Sequence, residues 1–207
     1  MDHTKDMDII KAAIDAGFQS VMIDASQKSF EDNIAITREV VEYAHAKNVE
    51  VEAELGKIGA TDKIETDNDE SLYTDPAEAE EFVAKTGVDT LAVSIGTAHG
   101  VYPVKNPKID LERLAQIRKR VSIPLVLHGG SGLPPETVQA AITIPGGGVS
   151  KINIATDLEQ AFLGSLGCQR KTNREIWQMD EKALAEAAEA VQRVVEDKIK
   201  NFLLWKG

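Results

Sequence analysis

Five short apolar runs, each followed by a longer stretch with helical periodicity, constrain this chain more than any other feature of its sequence. The runs are Gln19 to Asp24, Val49 to Leu55, Thr90 to Ile95, Pro124 to Leu127 and Val149 to Ile154. Strands that alternate with amphipathic helices predict a parallel sheet with crossover helices, an α/β fold. Most of the runs lack clean alternation, as expected of strands covered on both faces. Between them, Asp8 to Ala16 places Ile9, Ile10, Ala13 and Ile14 on one helical stripe, with Gly17 suited to follow the helix end. Ser29, Glu31 and Asp32 open a second helix running to about Lys47, and Asp75 with Pro76 opens a third. Leu111 to Val121 forms a fourth, Pro134 and Pro135 start a fifth, and Asp157 lies in another that opens after Asn153. A long alanine-rich amphipathic helix covers about 180–204.

No repeat or linker splits the 207 residues, so the whole of 1–207 reads as a single domain. No apolar run approaches the roughly 20 residues that span a bilayer. Met1 is followed at once by Asp2, His3 and Lys5, with no apolar core of a signal peptide behind them. One cysteine, Cys168, cannot close an internal disulfide, which fits a reducing cytoplasm. The net charge of −11 and pI near 4.9 argue against a nucleic-acid or anionic-membrane partner. A phosphorylated small molecule is still allowed, because backbone N–H groups bind phosphate locally whatever the net charge.

In parallel α/β folds the chemistry sits beyond the carboxyl ends of the strands. Each run here ends in a polar residue: Asp24, Glu54, His99 after Gly96-Thr97-Ala98, His128 and Asn153. Of the 4 histidines, His3, His99 and His128 fall in such positions, whereas His45 lies inside a helix and reads as a surface residue. Three converging imidazoles with an open fourth position are the ligand set of a catalytic zinc site. Asp24 and Glu54 read equally as partners of those ligands, as alternative ligands or as buried acids against a helix N-terminus. The turn His128-Gly129-Gly130-Ser131-Gly132 and the segment Asn153-Ile154-Ala155-Thr156-Asp157 form a second constellation. Glycines let amides approach an anion closely, and a helix start adds a favourable dipole. Lys57 to Thr74, acidic and weakly periodic, reads either as a solvated excursion or as an active-site lid. Gly164 to Lys182 carries no interpretable signal.

These residues resemble the class II, zinc-dependent ketose-bisphosphate aldolases, the fructose- and tagatose-bisphosphate aldolases. The resemblance rests on Asp2-His3, Met22 to Ser26, Val51 to Gly56, Leu91 to Gly100, Leu125 to Gly132 and Lys151 to Thr156, in family order up to about Leu163. It implies a (β/α)₈ TIM barrel with zinc held by His3, His99 and His128, and with Glu54 and Asp24 at a second, alternative metal position. The metal would polarise the substrate's C2 carbonyl and stabilise the enediolate of dihydroxyacetone phosphate. Asp2 matches the acid/base residue for the C4 hydroxyl proton, and Asp62 stands where the family carries a glutamate that moves a proton at C3. Gly100, Gly129, Gly130, Ser131, Asn153, Ile154, Ala155 and Thr156 match positions that bind dihydroxyacetone phosphate, often beside a monovalent cation. A homo-oligomer, dimer or tetramer, is also implied.

Two departures stand out against the family pattern. Pro145-Gly146-Gly147-Gly148 is longer than the usual turn there and reads as flexible, and the chain opens where the family's third strand ends. The barrel is therefore expected to be incomplete, lacking the first two β/α units and most of strand three, with two open sheet edges and an apolar interior exposed. Asp2 and His3 are expected on an untethered terminus. Two functions follow: a metal-dependent aldolase, or a truncated non-catalytic sugar-phosphate-binding or interaction subunit.

Overall fold

The computed structural model describes residues 1–60, 70–102 and 107–205. The elements run α1 (Met7–Asp15), β1 (Ser20–Ile23), α2 (Phe30–His45), β2 (Glu50–Leu55), β3 (Gly59–Ala60), α3 (Pro76–Thr86), β4 (Thr90–Val93), β5 (Ala98–His99), α4 (Leu111–Arg120), β6 (Leu125–Leu127), α5 (Pro135–Thr143), β7 (Val149–Ile152), α6 (Thr156–Ser165), α7 (Asn173–Trp177) and α8 (Glu181–Asn201). The five strands expected from the sequence pair in the order β1-β2-β4-β6-β7, all parallel, and β3 pairs with β5 in a separate two-stranded sheet. Five parallel strands with crossover helices make an incomplete (β/α)₈ barrel.

Helix starts follow their capping residues. Asp6 accepts from the amides of Asp8 and Ile9 at 2.8 and 3.4 Å, Ser29 from Asp32 at 3.2 Å, and Asp75 from Ala77 and Glu78 at 2.8 and 3.1 Å. Helix α1 turns Ile10, Ala13 and Ile14 inward as its periodicity predicts, but Ile9 is 52% exposed because it falls at the edge of that stripe. The segment without a sequence signal contains α7, whose Thr172 and Glu175 form a reciprocal capping box at its start.

The pleat divides each strand between two faces. Val21 and Ile23, Val51, Ala53 and Leu55, Leu91 and Val93, Leu125 and Leu127, and Val149 join the helices in one apolar core that includes Phe82, Leu114, Ile117 and Val138. Each such side chain taken fully out of water contributes roughly 1.5–3 kcal/mol before conformational entropy is set against it. The alternate residues Met22, Glu52, Glu54, Thr90, Ala92 and Val126 lie outside that core, and Lys151, two residues after Val149, joins them because the β6–β7 register shifts between Leu125 and Val126; the register joins Met22 to Glu52, Glu52 to Thr90 and Val126 to Lys151. The expectation of an apolar interior is thus corrected: a buried glutamate and a half-exposed lysine stand on this face, and Lys151 pairs with Glu52 at 2.8 Å.

Two further expectations change. The first residues are tied down. The Met1 ammonium donates to the Ser20 carbonyl at 2.8 Å, the Asp24 amide donates to Thr4 O at 2.8 Å, and Thr4 bridges Ile23 in parallel. This short extended segment lies on β1 as a sixth strand would. The glycine run before β7 is also fixed: Gly148 donates to Ile142 O at 3.1 Å, and a Cβ there would overlap the Ala141 carbonyl oxygen. Only glycine allows that approach of two backbones. Among the described residues no helix is long and apolar enough to cross a membrane.

Candidate functional site

The strand ends open onto a cleft of about 680 Å³. Its walls carry Asp2 and His3 from the tethered first segment, Asp24 after β1, Glu54 of β2, His99 and Gly100 from β5, Gly129 and Ser131 after β6, and Asn153, Ala155 and Thr156 after β7. His128 is completely buried behind this surface. Gly130 and Ile154 also stand behind the wall: the Gly130 amide is already donated to Asn153 O at 3.0 Å, and Ile154 packs against the core. Asp62 lies outside the described residues. His45 sits on the far surface, paired with Asp89 at 2.9 Å.

His3 meets His99 and His128 edge to face and the His99 and His128 rings are tilted, with centroids 4.5 to 5.7 Å apart. One nitrogen of each lies within 4.8 Å of the others, close enough to share one ion. His3 reaches this position with φ of 43°, a left-handed backbone that a side chain tolerates only when its surroundings hold it. The Met1, Thr4 and Asp24 hydrogen bonds supply that hold. Burial, reinforced by the neighbouring His3 and His128, pushes the His99 imidazole below its usual range, which leaves it neutral and able to ligate.

His128 is gripped by two carboxylates. Its Nε2 lies 3.0 Å from Glu52 Oε1, and its Nδ1 lies 3.3 Å from Glu54 Oε2. Burial alone would lower this imidazole, but the two carboxylates outweigh it and raise it to about 9. Burial likewise works against the Glu52 carboxylate, yet His128 and Lys151 hold it below its usual range. Asp24 is held well below the usual carboxylate range, first by His3, at 3.6 Å, and then by Ser26, against the effect of burial.

The donor set fits a metal. His128 Nδ1 and Glu54 Oε2 are both buried and face each other at 3.3 Å, but neither makes a hydrogen bond among the described residues. A buried imidazole nitrogen and carboxylate oxygen satisfied only by each other, beside two further imidazoles, are donors that a bound cation would use. His3, Asp24 and Glu54 form an overlapping second set of the same compactness.

Sequence reasoning passed over Glu52, Lys151, Lys5, Gln27 and Lys57. The last three line the cleft, and Glu52 holds the His128 imidazole at 3.0 Å. Glu52 could have been found from its spacing: it stands two residues before Glu54 in a strand, so both project to one face.

A family described as class-II fructose-bisphosphate aldolase matches residues 1–204 of the chain. Among solved structures, the chain is similar to the YdjI aldolase from Escherichia coli K12, at 39% identity and a TM-score of 0.79, over 97% of this chain and 67% of that one. It is also similar to fructose-bisphosphate aldolase (Fba) from Campylobacter jejuni, at 25% identity and a TM-score of 0.68, over 93% of this chain and 63% of that one. The chain spans about two-thirds of the length of these proteins.

Proposed function

This chain belongs to the class-II fructose-bisphosphate aldolase family, and from that premise we propose that its cleft performs the metal-dependent, reversible aldol cleavage of a ketose 1,6-bisphosphate to dihydroxyacetone phosphate and glyceraldehyde 3-phosphate. The observation that carries this reading is the meeting of His3, His99 and His128, from three separated segments, within 4.8 Å of one another in the cleft that also holds Asp2. Zinc bound by these imidazoles would supply a Lewis acid at the substrate's C2 carbonyl. No Schiff-base lysine is required.

The remaining chemistry falls to side chains and amides. The Asp2 carboxylate takes the C4 hydroxyl proton as the C3–C4 bond breaks; Asn153 donates to it at 3.1 Å, and Lys151 stands 3.7 Å away. Asp62 is the candidate for moving the C3 proton. Gly100, Gly129, Gly130, Ser131, Asn153, Ile154, Ala155 and Thr156 shape the phosphate end. In support, α6 starts there at Ala155 with no side-chain cap of its own. Asp24 and Glu54, with His3, offer a place for a second divalent metal, and a monovalent cation fits beside the phosphate. In this reading the chain works in the cytoplasm as a homo-oligomer, a dimer or tetramer, on fructose or tagatose bisphosphate.

The test is cleavage of both bisphosphates with chelator, and again with zinc restored. Turnover that needs the metal supports the proposal, and chelator-insensitive turnover contradicts it. One observation favours a non-catalytic sugar-phosphate-binding or interaction subunit: among the described strands β7 pairs on one side only, which leaves a sheet edge for a partner. No turnover from folded, metal-loaded protein would support that second reading.

A further inference from the structure

Tyr102 lies beyond β5 with its ring partly buried against the core, and neither the metal chemistry nor the substrate contacts proposed above use it. Its hydroxyl makes two hydrogen bonds. It accepts from the Ala98 amide at 2.8 Å and donates to the Gly129 carbonyl at 2.9 Å. Ala98 immediately precedes His99, and Gly129 immediately follows His128. One oxygen therefore joins the two backbones that carry two of the three clustered imidazoles, through the Ala98 amide and the Gly129 carbonyl, each on the residue adjoining a histidine. The backbones are in direct contact there, since a Cβ at Gly129 would overlap the Ala98 carbonyl oxygen. Ala98 and Gly129 are both buried, so the two hydrogen bonds to Tyr102 satisfy backbone groups with little solvent exposure. Burial drives the Tyr102 hydroxyl up to about 12, only partly offset by the Ala98 amide, so it stays a donor across the whole working pH range.

We propose that Tyr102 is a positioning residue for the metal centre: its hydroxyl staples the His99 and His128 backbones together and sets the spacing of their imidazoles before any metal arrives. The inference rests on the metal-site reading above. Neighbouring groups that orient metal ligands have measurable weight, and their removal typically weakens metal affinity by about 10–100-fold.

The test uses Co²⁺ as a spectroscopic probe on the metal-free chain. Tyr102→Phe keeps the ring and removes both hydrogen bonds. Expected are a rise of about tenfold or more in the Co²⁺ dissociation constant and an altered visible d–d spectrum, reporting changed ligand geometry. Thr86→Val is the control: it removes a buried hydroxyl bonded to Phe82 O at 2.7 Å, distant in the fold, and should leave the Co²⁺ affinity and spectrum alone. A Tyr102→Phe protein with wild-type affinity and spectrum overturns the staple, as does an equal loss in Thr86→Val. Failure of the wild-type chain to bind Co²⁺ overturns the metal reading itself, which is a separate result. Hydrogen exchange in the unaltered, metal-free protein needs no variant: the Ala98 amide should exchange slowly, and fast exchange would rule out a preformed staple.

Discussion

His128 is held by two carboxylates that change its charge state. Its imidazole stands near 9 in the folded, metal-free chain against a usual 6.5, because Glu52 and Glu54 face it. Those pairs stabilise the metal-free fold fully below about pH 6.5, and that stabilisation is lost as pH rises through about 9. Metal must displace the proton, so zinc affinity should fall about tenfold per pH unit on acidification below that value. Competition with a chelator at several pH values measures the slope, and a flat profile between pH 6 and 8 would contradict the ion pairing. His128→Ala should abolish metal retention while His45→Ala leaves it intact, as metal analysis after gel filtration would reveal. Glu52→Gln should weaken zinc binding by about 10–100-fold without removing a ligand, and an unchanged constant would mean that Glu52 serves Lys151 alone. The histidines were legible because each ends an apolar run or opens the chain beside an aspartate. Glu52 and Lys151 were not, since a charged residue inside a strand declares its partner only when the register brings Val126 beside Lys151. The anchoring of His3 was hidden for a similar reason, being made by backbone groups of Ser20, Thr4 and Asp24 that no residue type advertises.

At the scale of elements, the strands were readable because apolar runs bounded by caps and glycines leave few other conformations. Their ends shifted by a residue or two: β7 closes at Ile152, although Asn153 still donates to Leu127 O of β6 at 2.9 Å. The two-residue strands β3 and β5 are too short for any periodicity, and they exist through pairing with each other. The glycine run before β7 offers a sharp contrast. Gly147 has open space around it but φ of 92°, whereas Gly148 is blocked by the Ala141 carbonyl. Alanine at 147 should cost about 1–2 kcal/mol through backbone strain. At position 148 the cost should be larger, because the β7 approach to α5 must shift. Thermal or denaturant unfolding of the two variants checks the order, and equal losses would contradict the close approach.

For the whole molecule, the sheet sorts its residues by face: an apolar face packs on helices, while the other carries glutamates and a lysine, with the histidines on segments outside its strands. That division was only partly visible beforehand, because strands read as covered on both faces concealed how polar the second face is. Five strands and one tethered segment suffice to bring Asp2 within 3.1 Å of Asn153, which follows the last strand, across the mouth of the cleft. Three histidines from separated segments are arranged to share one metal ion. Zinc K-edge X-ray absorption on zinc-loaded protein reads that shell. One zinc per chain with three imidazole nitrogens at about 2.0–2.1 Å is expected. A zinc shell without that imidazole scattering, or a folded chain that retains no zinc, would contradict it.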